Sequence, residues 1–325
     1  MTPLLQVRGL HVRYPVRGGV LQRVVGTVRA VDGVDLEVWP GEILGLVGES
    51  GCGKSTLSRA LVRLVRPDSG EILLDGRDIL KLDAAETKRM RREIQIIFQD
   101  PVGSLNPRFR VRDIVLEGRR IQGLSDATDA AVVREMLLKV GLNPEVADRF
   151  PHELSGGQRQ RIGIARTLVL NPRVIVADEP VSALDVSIQS QVLNLLVDLR
   201  RELGLTYVFI AHNLAVVGYI ADRVAVMYLG KIVEVASSDD LIAHPLHPYT
   251  VALLSAVPSG RRARVHLEGE PPSPLNPPSG CRFRTRCPLA QTICAQTEPP
   301  LVQKVNSHLV ACHFAGELRQ YGETT

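Results

Sequence analysis

Residues 42–56, EILGLVGESGCGKST, limit the possible fold more than any other stretch of the chain. Gly48 to Ser55 fits G-x-x-x-x-G-K-[ST] in the context that gives the pattern meaning. A short apolar run that reads as a buried strand precedes it, and a helical periodicity follows from Lys54 to about Val65. Gly48, Gly51 and Gly53 let backbone N–H groups turn inward around an anion, and the helix start adds roughly half a positive charge. Lys54 is placed to reach the β- and γ-phosphates of a nucleotide, and the Ser55 hydroxyl to ligate Mg²⁺. Ser50, Cys52 and Thr56 complete the cradle, the thiol of Cys52 being incidental.

Such a loop needs acidic partners. VIVADE, residues 174–179, supplies Asp178 and Glu179 at the end of an apolar strand. Asp178 is the expected Mg²⁺ holder. Glu179, one residue on, is placed to polarise an attacking water, and general-base help of this kind contributes about 10²–10⁴ in rate. His212 ends the run TYVFIAH and Gln99 ends EIQIIFQ. In a parallel sheet both fall on the C-terminal edge, where ligands bind. There His212 lies near the γ-phosphate, and Gln99 bridges metal, water and the helices that follow.

The order of patterns predicts an α/β fold of the P-loop NTPase type. A mostly parallel sheet is joined by an antiparallel β subdomain, a helical insert and a small irregular Cys-rich C-terminal appendage. LLQVRGLHVRY and AVDGVDLEV alternate as antiparallel strands, with residues 15–29 read as an extended loop between them. Residues 101–170 show helical periodicity and few strand signals. RVIVAD and TYVFIAH resume the sheet around a helix over SIQSQVLNLLVDLRREL, and RVAVMYLGKIVEV closes it as two strands turning near Gly230. The expected domains are 1–257 and 258–325, the second opening on a proline-rich linker.

Composition narrows the function. With 39 basic and 35 acidic residues the net charge is only +4, and aromatics are 4% of the chain, which argues against nucleic acid as a partner. MTPLLQVRGLHVRY is too polar for a signal peptide. The most apolar long stretch, from Tyr207, carries His212, Asn213, Asp222 and Arg223 and reads as soluble core, so any link to a membrane goes through partner proteins.

A second glycine-rich helix start is unexpected. In HELSGGQRQR, Ser155 and Gln158 form a capping box. Gly156 and Gly157 leave the first N–H groups unshielded, which makes an anion site. One compact domain does not easily wrap one nucleotide with both loops. Two domains placed head to tail do, each Gly48–Ser55 loop cradling an ATP that the opposing Ser155–Gln158 segment covers.

LSGGQ at Leu154 to Gln158 is the signature of ATP-binding cassette proteins. With the phosphate loop, VIVADE, SALD at Ser182 to Asp185, Gln99 and His212, the chain resembles a complete ABC nucleotide-binding domain. The resemblance implies that Lys54 binds phosphate, Ser55 and Asp178 hold Mg²⁺, Glu179 is the catalytic base, His212 senses the γ-phosphate, and Ser182 and Asp185 contact the dimer partner. Tyr14 would stack on adenine. Asn213 departs from the acidic residue that relatives commonly carry there.

FQDPVGSLNP, HPLHPYT and GEPPSPLNPPSGCRFRTRCP are similar to the ATPases of oligopeptide/dipeptide importers. That likeness implies a second ATPase subunit (a paralogue or a second copy), two transmembrane permeases, an extracytoplasmic peptide-binding protein, and a peripheral location on the cytoplasmic membrane face. The alternatives are a soluble ABC ATPase of translation or DNA repair, a cassette that only supports a sister subunit, and an importer ATPase for another solute such as nickel. Tandem cassettes and coiled-coil insertions, expected of the first, are missing from the sequence.

Of five cysteines, four crowd into the tail as Cys281, Cys287, Cys294 and Cys312. In a reducing compartment disulfides are disfavoured. Four thiolates can ligate a [4Fe–4S] cluster or zinc, or remain unligated in a packed appendage. The spacing lacks the C-x₂-C pairs of a zinc site, a proline follows Cys287, and some members of the resembling family carry a [4Fe–4S] cluster here. His308 and His313 read as surface histidines.

Overall fold

In the computed structural model, which describes residues 2–19, 22–100, 103–256, 265, 267, 269–305 and 307–318, burial follows the sequence's alternation. Leu5, Val7, Leu10 and Val12 are buried along β1 (Leu5–Gly18). The phase slips by one residue between Val7 and Leu10, where the register against β2 (Arg23–Val38) shifts. That bulge keeps both apolar pairs on the core face. After β2 come β3 (Ile43–Val47), α1 (Lys54–Leu61), β4 (Ser69–Leu74), the two-residue β5 (Arg77–Asp78), α2 (Ala84–Glu93) and β6 (Ile94–Ile97). The middle of the chain holds α3 (Val111–Gln122), α4 (Asp129–Lys139), α5 (Gly156–Leu168), β7 (Val174–Asp178) and α6 (Val186–Leu203). Then follow β8 (Thr206–Ala211), α7 (Leu214–Ile220), β9 (Arg223–Tyr228), β10 (Lys231–Ser237), α8 (Ser238–Ala243), α9 (Pro248–Ser255), α10 (Thr292–Gln296), β11 (Val302–Val305) and β12 (His308–Val310).

The chain divides into two compact units. One comprises Thr2, Trp39–Glu42 and the described part of Asp78–Ile210. Its strands β6, β7 and β8 pair in parallel, Ile94 opposite Val174 and Val174 opposite Thr206. Every residue of β7 is buried, the mark of a strand covered on both faces. The helices α3, α4 and α5 pack on one another around Val111, Ile114, Val133, Leu137, Ile162 and Ile164, all nearly inaccessible. Fully burying each such side chain contributes roughly 1.5–3 kcal/mol.

The other unit comprises Pro3–Val38, Ile43–Arg77 and the described part of Ala211–Thr325. β1 runs antiparallel to both β2 and β4. β3, wholly buried, pairs in parallel with β9; β10 and β12 continue from β9 in antiparallel order, and β11 closes the edge. No helix among the described residues is long and apolar enough to cross a membrane.

Three local expectations change. Residues 15–29 are mostly strand, because pairing continues from Pro15 opposite Thr27 to Gly18 opposite Arg23. This arm has Val24 and Val25 exposed, so no buried face marks it in the sequence. The helix from Lys54 ends at Leu61, because Arg63 turns left-handed (φ 54°) and Leu64 N–H bonds back to Arg59 O at 2.8 Å. The tail is more regular than its composition suggests, since β12 pairs with β10 through Val310 opposite Glu234. Residues 257–264, at the expected domain boundary, lie outside the described residues.

Candidate active site

The phosphate loop is shaped by what crowds it. β3 ends at Val47, and the backbone then passes so close to β9 that a Cβ on Gly48 would stand 2.2 Å from Met227 O. A Cβ on Gly53 would stand 2.1 Å from Ala30 O, and Gly53 has φ 113°, a left-handed conformation that favours glycine. Glycine is therefore required at both positions for close approach, and Gly53 leads straight into α1. Lys54 is 4% exposed; its Nζ donates to Gly48 O at 2.8 Å and Glu49 O at 3.0 Å. The ammonium is thus held over the concave side of its own loop. Burial pushes the Cys52 thiol up against the opposing pull of Lys54, so the group stays neutral at pH 7. Gly51 and Ser50 lie at the tip, and Ser55 and Thr56 are half-buried in the first turn of α1. In the same unit Tyr14 projects from β1, 40% exposed and opposite Val28. His212 follows β8 and is exposed; Asn213 caps α7, its Oδ1 accepting from Ala215 N–H at 2.8 Å.

The unit containing residues 78–210 carries the carboxylates. Asp178 ends β7 opposite Ile210 and is buried. Glu179 follows with φ 47°, a left-handed conformation that costs a non-glycine residue of order 1–3 kcal/mol. It is held there by its N–H to Ile210 O at 3.0 Å, and its carbonyl accepts from Ser182 N–H and Oγ–H. Gln99 Nε2 donates to Glu179 Oε2 at 3.2 Å, so two residues far apart in sequence meet. Gln99 lies two residues beyond the end of β6 rather than on the strand.

The second glycine-rich start has the expected capping box: Gln158 N–H donates to Ser155 Oγ at 3.3 Å, and Ser155 N–H to Gln158 Oε1 at 3.0 Å. Ser155 and Gly156 are exposed and Gly157 is half-buried, so the opening turn of α5 faces outward. Asp185 precedes α6 without capping it by its side chain, and Val186 beside it is 79% exposed.

In the tail all four cysteines are free thiols. Burial, with a smaller contribution from the neighbouring thiols, pushes Cys287 up to about 11 and Cys312 up to about 12; Cys281 is raised by the same causes. Among the described residues no group of three or more His, Cys, Asp or Glu is arranged to hold a metal ion. His308 is not at the surface. Its Nε2 lies 2.7 Å from Glu234 Oε1, and Glu234, wholly buried, also accepts from the N–H groups of Leu246 and His247. A buried carboxylate needs such partners, and the distant His308 supplies one. Sequence reasoning also passed over Glu49, Tyr249 and Arg286, which meet at the phosphate loop. The only signal lay in HPLHPYT and CRFRTRCP, read there as marks of kinship.

Comparison with known proteins identifies the family. Residues 31–182 match the ABC transporter family model, and residues 233–294 match the oligopeptide/dipeptide transporter C-terminal region. The oligopeptide transport ATP-binding protein AppF of Bacillus subtilis is 52% identical over 319 residues, covering 96% of this chain and 97% of that protein. A putative peptide import ATP-binding protein of Brucella ovis is 54% identical, covering 96% of this chain and 98% of its own. Among solved structures, the dimeric ATP-binding cassette MJ0796 in a post-hydrolysis state with ADP and Pi superposes with a TM-score of 0.64 at 28% identity, over 72% of this chain and 98% of that one. The chain belongs to the ABC transporter family, and it carries the C-terminal region characteristic of oligopeptide/dipeptide transporters.

Proposed function

We propose that this chain is the ATP-binding and ATP-hydrolysing subunit that powers an importer of oligopeptides or dipeptides. One observation carries the reading: a buried-lysine phosphate loop and the oligopeptide-transporter C-terminal region occur in one chain and in one compact unit.

In this reading Gly48–Thr56 cradles the triphosphate of ATP, with Lys54 against the β- and γ-oxygens and Tyr14 on adenine. The oxygen donors of Ser55, Gln99 and Asp178 suit a hard cation such as Mg²⁺, which would neutralise charge on the phosphate oxygens. Glu179 accepts the proton of the attacking water, Gln99 orients its carboxylate, and His212 reports the γ-phosphate. Two copies, or this chain and a paralogue, close head to tail. Ser155, Gly156, Gly157 and Gln158 of one copy then cover the nucleotide of the other, with Ser182 and Asp185 at the seam. Hydrolysis and phosphate loss would reopen the pair and drive two permeases, to which an external peptide-binding protein delivers the cargo. The subunit would lie on the cytoplasmic membrane face.

The finer reading of the tail is that Cys281, Cys287, Cys294 and Cys312 hold a [4Fe–4S] cluster. Thiol donors suit iron, and the four thiols lie within electrostatic reach of one another. The test for the whole reading is to isolate the complex from membranes anaerobically, identify its subunits and assay iron. Peptide permeases should co-purify; a chain recovered without membrane partners would sink the importer assignment. Iron-free and zinc-free protein would remove the metal.

A further inference from the structure

Residue Glu49 lies inside the phosphate loop, yet its amide and its carboxylate are both held by the C-terminal part of the chain. Its N–H donates to the Tyr249 hydroxyl at 2.8 Å. Its carboxylate receives Arg286 Nη1 at 2.8 Å on one oxygen and 3.1 Å on the other. The Arg286 side chain is 8% exposed and that of Glu49 26%, so the pair is largely removed from water and loss of one partner leaves the other's charge stranded. Tyr249 itself is wholly buried in a ring cluster with Tyr228, at 4.7 Å between centroids, and Phe283, at 5.5 Å. Two anchors therefore grip one loop residue, one by its backbone and one by its side chain. The Glu49 carbonyl in turn accepts from Lys54 Nζ at 3.0 Å.

We propose that Arg286 and Tyr249 are positioning residues for nucleotide binding: they clamp Glu49 and so fix the loop that places Lys54. The C-terminal region then sets the affinity of the phosphate site without touching the nucleotide. This rests on reading Gly48–Ser55 as the ATP loop. In a flexible loop the ordering entropy is lost when ATP binds; in a clamped loop it has already been lost.

The test is MgATP affinity of the full chain by titration calorimetry, with the melting temperature of every variant measured alongside. Arg286→Met and Glu49→Gln should each raise Kd by roughly tenfold, the scale of one lost charge-assisted hydrogen bond. The double variant should be no weaker than either single, and Arg286→Lys should restore most of the affinity, because a single nitrogen, Nη1, makes both contacts to the carboxylate. Tyr249→Phe keeps the ring cluster and should raise Kd severalfold; it decides the matter if Arg286→Met does not fold. Unchanged Kd in Arg286→Met and Tyr249→Phe, with only the melting temperature lowered, would overturn the clamp. Lys54→Ala separates the two ideas. If it loses ATP while the clamp variants bind normally, the loop reading stands and the clamp falls. If it binds ATP like the parent, both fall.

Discussion

Replacing Arg282 by methionine should loosen the unit that holds the phosphate loop. Arg282 donates through Nη2 to Asp32 and through Nη1 to Leu229 O, and both side chains of the ion pair are only 8% exposed. Removing one partner of a buried pair costs roughly 3–5 kcal/mol, because the other charge is left behind. Here Asp32 retains His11, 2.9 Å away, and the half-exposed Arg29 at 3.7 Å. The expected loss is therefore about 2–3 kcal/mol. Burial alone would raise the Asp32 carboxyl; Arg282, with help from His11, outweighs it and holds the pKa below its usual value. A depressed folded pKa means that the contribution is complete above the ordinary aspartate value of about 3.9 and is lost as pH falls through the lower, folded value. The deficit of Arg282→Met should thus be full at pH 7 and shrink below about pH 4. Native-state hydrogen exchange reads it locally, since the Asp32 amide donates to Gly230 O at 3.0 Å. That amide should exchange roughly 30- to 150-fold faster at pH 7. Parent-like exchange, or a deficit that persists undiminished in acid, would refute the electrostatic argument. Adding Asp32→Asn should recover part of the loss, because the stranded charge goes with it.

Glu179→Gln should abolish steady-state ATP hydrolysis while retaining ATP and trapping a dimer visible by size-exclusion chromatography; turnover at the parent rate would exclude Glu179 as the base. Ser155→Arg, which places bulk and charge at the exposed start of α5, should leave MgATP binding to the isolated chain intact while preventing that ATP-dependent dimer. With Cys287 pushed up to about 11 and Cys312 up to about 12, both thiols are neutral at pH 7 in the metal-free protein. They should alkylate more slowly than free cysteine, the rate rising with pH. Mass spectrometry of iodoacetamide-treated protein checks this, and labelling as fast as free cysteine would contradict it.

Where a structural feature lies within a few consecutive residues, the sequence was enough. The loop Gly48–Ser55, the strand-end carboxylates Asp178 and Glu179 and the capping box at Ser155 are each specified by local backbone geometry. Their types and spacing therefore reveal strand, turn and helix start without knowledge of the rest. Boundaries were less legible. The paired arm of residues 15–29 has little buried face, so alternation has nothing to report. The end of α1 depends on one arginine turning left-handed, which an apolar pattern running on through Leu64 and Val65 conceals.

The sequence by itself determined the local elements: a glycine-rich turn from strand to helix, two carboxylates at a strand end, a capped glycine-rich helix start and four clustered thiols. Tertiary structure decided which distant groups complete them. His308 meets Glu234 across 74 residues, Arg286 meets Glu49 across 237 and Arg282 meets Asp32 across 250. Charged and polar side chains carry no mark of their partners. A buried carboxylate must find a donor because leaving it unpaired costs several kcal/mol, of order 3–5, but only the folded chain determines which arginine or histidine is within reach.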